Sequence, residues 1–373
     1  MIKRTALILL IVVTSQFTYA QQKEKIKIDL SNSRQKIKNV EQVQNRSKGF
    51  VLTESIASIE IFTEDTKDGF YGKIVSDGMS KTYDSGNPDL PVINRLIEIP
   101  PNSEVKIKIL NYDEEVVDLN NYGFDNKIIP AQPSHHKSQD LKKVPFVKND
   151  KVYHKNEFYK KKLVKFEDKG YLRNKHLGYI EISPFIYNPV SNVLKVLNNL
   201  EVEISFIPAS KHLKANKSNL NSDYFNSINY PTINQIQEAK TLVSGPVKYV
   251  IVADRMFEET LQDFVLWKTQ KGFVVVEAYT DDIGGSTTEI KTYLQELYEN
   301  PADGISPTFA LLVGDVAQIP AFDGNAGGHK TDLYYFEYTG DKLPEVFYGR
   351  FSAETIAELQ PQIDKTLEIE KYQ

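Results

Sequence analysis

The 373-residue chain is 40% hydrophobic and 25% charged, a globular composition long enough for two or three domains with their own cores. It contains no cysteine, which excludes disulfides, Cys-ligated metals and a thiol nucleophile within these residues. The net charge of -5 hides a split: residues 1–250 carry 36 Lys+Arg against 28 Asp+Glu, and residues 251–373 carry 9 against 22.

Residues 1–20 have the layout of a secretory signal peptide. Lys3 and Arg4 precede an apolar run from Ala6 to Val13, and Thr18-Tyr19-Ala20 places the cleavage after Ala20. The run is far shorter than the roughly 20 residues of a membrane span, so a secreted chain with no span after signal cleavage is expected. Residues 21–48 are polar and read as a poorly ordered lead-in.

From 49 to 210 the apolar residues recur with period two. Val105, Ile107 and Ile109 alternate with Lys106 and Lys108; Leu200, Val202, Ile204 and Phe206 alternate with Glu201, Glu203 and Ser205. Turn signals at Gly86-Asn87-Pro88, Pro100-Pro101-Asn102 and Asn188-Pro189 separate the strands, and an all-β domain is predicted. Residues 211–245, with Lys211, Lys214 and Lys217 among Asn and Ser, read as a connector with exposed processing sites.

From 246 to 373 the pattern changes to strand, helix, strand, helix, strand. Val247–Ala253, Phe273–Tyr279 and Phe309–Val313 are continuous apolar strands, and Ser286 with Glu289 forms a capping-box pattern before the second helix. This order predicts a mainly parallel, three-layer α/β subdomain. A hairpin-like stretch is expected at 333–350 and a last helix after Ser352. That helix meets no stop signal before Gln373, so the layer reads as cut short.

The chemistry-bearing residues are sparse. No G-x-S-x-G or H-E-x-x-H occurs; the pair His135-His136 and His329 read as loop histidines, and the glycines of 324–328 lack the G-K-[ST] of a phosphate loop. The lysines of 155–169 are diluted by Glu157, Glu167 and Asp168, so no nucleic-acid partner is expected. One constellation remains. Asp315 ends a buried strand, Asp341 and Glu345 flank a turn downstream, and Thr339 and Leu343 can offer carbonyls. Hard oxygen donors of this kind suit Ca²⁺, with ordinary turn carboxylates as the competing reading.

The stretch from Val247 onward resembles the gingipain-like family of secreted cysteine endopeptidases. The resemblance is carried by Tyr249-Val250-Ile251-Val252-Ala253, by Asp263–Gly272, by Leu311-Leu312-Val313-Gly314-Asp315 with Ile319-Pro320-Ala321, and by Lys330-Thr331-Asp332. Glu345–Ser352 and Gln362–Thr366 complete it. Gly86–Pro91, Ile97-Glu98-Ile99-Pro100 and Ile186-Tyr187-Asn188-Pro189 resemble that family's propeptide.

The resemblance implies a caspase-like catalytic fold and a propeptide that docks intramolecularly. It implies a Cys/His dyad acting on protein or peptide substrates, often after Arg or Lys. It also implies a structural Ca²⁺ held at Asp315, Thr339, Asp341, Leu343 and Glu345. The family's His-Gly pair and its cysteine are absent here, so catalytic residues are assigned to none of these 373 positions and the chain as given is expected to be inactive. Lys142-Lys143 and Lys160–Lys162 are candidate pseudo-substrate loops. A secreted non-catalytic binding protein, or a sortase-like relative in type IX secretion, are the alternative readings.

Overall fold

The computed structural model describes residues 25–30, 48–135, 139–140, 142–209, 220, 222–227, 231–234, 245–325 and 328–372. The expected signal segment 1–20, His136 and Lys211, Lys214 and Lys217 lie outside the described residues.

In chain order the front half forms β1 (Lys25–Asp29), β2 (Gly49–Glu54), β3 (Ser58–Thr66), β4 (Gly69–Val75), β5 (Ile93–Ile99), β6 (Ser103–Asp118), the single-turn helix α1 (Asp150–Tyr153), β7 (Val164–Leu172), β8 (Lys175–Ile182), β9 (Phe185–Asn188) and β10 (Val193–Pro208). They pair antiparallel in three sheets, ordered β1-β3-β4, β2-β10-β6 with β9 also on β10, and β5-β8-β7. The alternation in β10 does what the sequence requires. Leu200, Val202 and Ile204 are buried, while Glu201, Glu203 and Ser205 stay at the surface layer.

The lead-in reading of 21–48 needs correcting. Residues 25–29 are a strand, not a poorly ordered segment, and they pair with β3 from Lys25↔Phe62 to Asp29↔Ser58. The signal was there in the alternation Ile26, Ile28, Leu30: Ile28 and Leu30 are buried in the front core beside Ile59 and Ile61.

The described parts of the connector lie against the folded body. Its short helix α2 (Asp223–Ser227) buries Phe225, and Asn234 is fully buried. The Asn234 amide accepts from Glu98 N at 2.8 Å and donates to Glu98 O at 2.7 Å, and Ile233 N donates to Leu96 O. Residues 232–234 thus run beside β5, with an isolated parallel bridge at Leu96↔Thr232 followed by a turn.

The back half runs β11 (Val247–Ala253), a 3₁₀ turn at Arg255–Phe257, α3 (Glu258–Gln270), β12 (Phe273–Tyr279), α4 (Thr280–Ile283), α5 (Thr287–Glu299), β13 (Pro307–Val313), β14 (Phe322–Asp323), β15 (Lys330–Thr331), α6 (Leu333–Phe336), β16 (Phe347–Phe351) and α7 (Ile356–Lys371). β12-β11-β13-β16 form a parallel sheet. The central strands β11 and β13 are almost wholly apolar because both of their faces are covered, while Lys248, Glu277 and Arg350 are the charged residues of the sheet. Ile251, Ala253, Leu311 and Val313 meet Leu261 and Phe264 of α3 and Leu359 and Ile363 of α7. Val250, Val252, Ala310 and Leu312 meet Ile290 and Leu294 of α5 and Tyr335 and Phe336 of α6.

Ser286 caps α5 as its sequence pattern predicts, accepting from Glu289 N while the Glu289 carboxylate accepts from Ser286 N. The stretch 333–350 is not a hairpin. It is a short helix, a loop and an edge strand running parallel to β13, from Phe309↔Phe347 to Val313↔Phe351.

Candidate functional site

A parallel sheet has two chemically different edges, and ligands of open α/β sheets sit at the carboxyl ends of the strands. At that edge Asp315 N donates to Ala353 O at 2.9 Å and the Asp315 carboxylate accepts from Ser352 Oγ at 3.0 Å. Beside it Arg350 makes a bidentate pair with Asp332, at 2.8 and 2.7 Å, and also donates to Gly314 O and Ile319 O. One guanidinium therefore fixes the loop that follows β13 to β16. The sequence contained Asp332 and Arg350 within the family-like segments but gave no sign that they pair.

The other predicted ligands lie at the opposite edge. Glu345 precedes β16, and its N–H donates to Phe336 O. Its carboxylate is fully buried and accepts from Tyr338 N at 2.7 Å and Thr339 Oγ1 at 3.0 Å. Thr339 Oγ1 also contacts Asp341 Oδ2 at 2.6 Å, and Asp341 Oδ1 accepts from Leu343 N at 2.8 Å. Glu337 accepts from Gly340 N and Asp341 N. Burial first, then the nearby Asp341 and Glu337 carboxylates, push the Glu345 carboxyl up to about 7, against the lowering effect of its two hydrogen bonds.

The five-residue calcium set does not fit a single ion. Asp315 bonds to Ala353, after the end of β16, whereas Glu345 precedes its start; the five residues of β16 lie between them and alone span roughly 16 Å at ~3.3 Å per residue. A Ca²⁺ holds its oxygens at about 2.3–2.6 Å. Thr339, Asp341 and Glu345 are brought together in one loop; Asp315 is not part of it. The Leu343 side chain packs on Leu172, Leu177 and Phe225. No three His, Cys, Asp or Glu side chains converge as a metal cluster among the described residues.

That loop is where the two halves of the chain meet. The β7–β8 hairpin turns through Arg173 and Asn174, with Arg173 in the left-handed region at φ 59°. A non-glycine residue there is strained unless its surroundings hold it. Arg173 is 3% exposed. Its guanidinium donates to Pro307 O and Leu220 O, both at 2.6 Å, to Glu345 O at 3.1 Å and to Ser306 O at 3.4 Å. It lies 5.2 Å from the Phe225 ring centre and 5.5 Å from that of Tyr298. Burial pulls its pKa down, with Tyr298, Glu345 and Tyr338 opposing.

Two residues earlier, Tyr171 N donates to Asp341 Oδ2 at 2.7 Å. Tyr171 stacks at 4.4 Å on His176, its cross-strand partner, and His176 Nε2 meets the Asp168 carboxylate at 2.9 Å, so the hairpin is braced from within. An apolar cluster of Leu172, Leu177, Phe225, Leu96, Leu343 and Phe347 closes the contact, with Phe225 stacked on Phe347 at 4.0 Å. Sequence reasoning missed this junction. The buried arginine looks like any basic turn residue, and nothing local marks the carbonyls that receive it.

The candidate pseudo-substrate lysines are exposed or used locally. Lys142, Lys143, Lys160 and Lys162 are at the surface, and Lys161 Nζ donates to Thr82 Oγ1 at 2.7 Å. His135 and His329 are exposed. No helix among the described residues is long and apolar enough to cross a membrane.

A β-rich front half is seated on the opening strands and helices of an α/β domain. Family models identify both parts. The family model Propeptide_C25 matches residues 26–235 and the model Peptidase family C25 matches 243–373. Lys-gingipain of Porphyromonas gingivalis is 33% identical over 359 residues, covering 95% of this chain and 20% of that protein. Gingipain R1 of the same organism is 27% identical over 293 residues, covering 77% of this chain and 28% of that protein. A solved structure described as zymogenic latency of gingipain K from Porphyromonas gingivalis overlays with a TM-score of 0.47 and 32% identity, covering 50% of this chain and 100% of that one.

The chain belongs to the gingipain-like peptidase family C25, and holds its propeptide and part of its peptidase domain. It spans about a fifth of the length of the Lys-gingipain it matches.

Proposed function

We propose that the chain is the front of a secreted cysteine endopeptidase zymogen, in which an all-β propeptide holds a caspase-like catalytic domain latent. The observation that supports this most is the order and seating of the two parts: the propeptide-matching half inserts a hairpin into the peptidase-matching half through Arg173 and Tyr171. In such an enzyme a thiolate attacks the scissile carbonyl while an adjacent imidazole carries the proton. These 373 residues hold no cysteine and no His-Gly pair, so that chemistry belongs to sequence outside them. What the present residues contribute is the sheet, the Arg350–Asp332 pair that sets the loop at its carboxyl edge, and the docked propeptide.

The charge split favours this arrangement, because an acidic domain and a basic propeptide gain orientation and docking rate. Calcium is retained in the proposal for the 337–345 loop alone, with Asp341 and Glu345 as hard donors and without Asp315. The test is a peptidase assay on protein made from the complete reading frame. Hydrolysis of peptides after Lys or Arg, blocked by thiol alkylation and rising when the propeptide is removed, is expected. Absence of thiol-dependent hydrolysis after propeptide removal would overturn the reading.

A further inference from the structure

The strand carboxyl ends and the propeptide hairpin lie at opposite edges of the parallel sheet. Arg173 reaches Ser306 and Pro307, where β13 begins, and Glu345, just before β16. Asp315, by contrast, follows the last residues of β13. The hairpin therefore grips the catalytic half away from the edge where an α/β sheet places its ligands.

The grip has the chemistry of a guanidinium socket. All four acceptors are main-chain carbonyls, which offer negative dipoles in fixed positions without a carboxylate's charge. Tyr298 and Phe225 supply ring faces. A planar, five-donor fork satisfies several carbonyls at once; a lysine ammonium has three donors on a flexible stem and no plane to stack. Part of the socket belongs to the peptidase half: Ser306 O, Pro307 O, Glu345 O and Tyr298. The rest, Leu220 O and Phe225, lies between the β half and residue 235, within the propeptide match.

We infer that this socket is a guanidinium-specific docking site whose carbonyls are mainly those of the peptidase half, that its occupant is Arg173 of the chain's own propeptide, and that unseating Arg173 sets the rate at which a cleaved propeptide departs. The site is separate from whatever segment meets the substrate-binding edge, so it retains the propeptide even when that edge is free. The inference rests on the propeptide reading for the identity of the departing piece.

The test uses the full chain with a specific-protease recognition sequence placed between residues 237 and 243. After cutting, the front piece is immobilised and release of the back piece is followed with time. Arg173→Asn keeps a residue that tolerates positive φ and so preserves the turn. R173N is expected to release roughly 100-fold faster than the parent, with Arg173→Lys in between. Release of R173N at the parent rate would overturn the inference.

If the melting of the front half shows that both variants unfold it, the parent pieces decide the matter. Rebinding in the presence of arginine amide is expected to fall below that in lysine amide at equal ionic strength; equal rebinding would overturn the socket. No peptidase step enters either readout. Faster release of R173N with no thiol-dependent hydrolysis by the complete protein removes the functional reading and leaves the socket, and the converse removes the socket alone.

Discussion

The main-chain carbonyl of Glu345 accepts a 3.1 Å hydrogen bond from the Arg173 guanidinium, while the carboxylate of the same residue is held by Tyr338 N and Thr339 Oγ1. One residue thus joins the propeptide hairpin to the acidic loop of the peptidase half. Whatever orders that loop also shapes the seat of the propeptide.

Gly170 sits at φ 86° against Asp341, and a Cβ there would lie 2.2 Å from Asp341 Oδ2 and 2.4 Å from Asp341 Cβ. Gly170→Ala therefore adds a clash to a left-handed backbone penalty of about 1–2 kcal/mol. Asp341→Gly removes the clash partner. A double-mutant cycle read by thermal unfolding is expected to give a coupling of about 1 kcal/mol or more between the two sites. Additive effects would show that the hairpin does not press on this loop.

Asn234 takes the place of a strand neighbour for Glu98, pairing with both its N–H and its carbonyl. Asn234→Ala is expected to cost the propeptide half about 1–3 kcal/mol, seen as a lower melting temperature. An unchanged melting temperature would mean that residues 231–234 do not fasten the connector.

Glu370 closes the sheet face covered by α3 and α7. Its carboxylate accepts from Lys268 Nζ at 2.6 Å, Trp267 Nε1 at 3.0 Å and Lys271 Nζ at 3.3 Å. Burial alone would raise its pKa, but Lys268, Trp267 and Lys271 outweigh that and hold it below the usual carboxylate range. A depressed acid stabilises the fold at pH above its unfolded value near 4.5, and that contribution is lost as pH falls through the lower folded value. Trp267 is the only tryptophan and reports on the site. Glu370→Gln is expected to lower stability near neutral pH by about 2 kcal/mol and to flatten the acid limb of the Trp267 fluorescence titration. An acid limb as steep as the parent's would assign that pH dependence elsewhere.

Calcium is expected to raise the melting temperature of the parent and of Asp315→Asn alike, and to have a weaker effect on Asp341→Asn. The reason is placement: Asp341 shares the Thr339 hydroxyl with Glu345, whereas Asp315 bonds to Ser352 at the far edge of the sheet. A calcium response abolished only by Asp315→Asn would reverse this assignment.

Local periodicity made the strands and helices legible. The apolar runs of β11, β12 and β13, the Ser286 cap and the alternation of β10 all carry their fold in neighbouring residues. What sequence could not supply was pairing across distance. Ile26, Ile28 and Leu30 alternate over too few residues to outweigh the polar composition around them, yet β3 recruits them. Residues 333–350 read as a hairpin because the neighbour of β16, β13, lies more than thirty positions upstream. The five proposed calcium donors divide between the two ends of the sheet for the same reason, since adjacency to a strand says nothing about which end a residue occupies. Arg173 was invisible because its partners are carbonyls, which every residue has.

Arg173 and Tyr171 seat the propeptide on the peptidase half by contacts of its own, beyond the connector that joins them. The most direct measurement is gel filtration of the chain after specific cleavage between residues 237 and 243. The account predicts that the two pieces co-elute as one complex under native conditions and separate in denaturant. Two independently eluting folded pieces, at concentrations where the parent is monomeric, would contradict it.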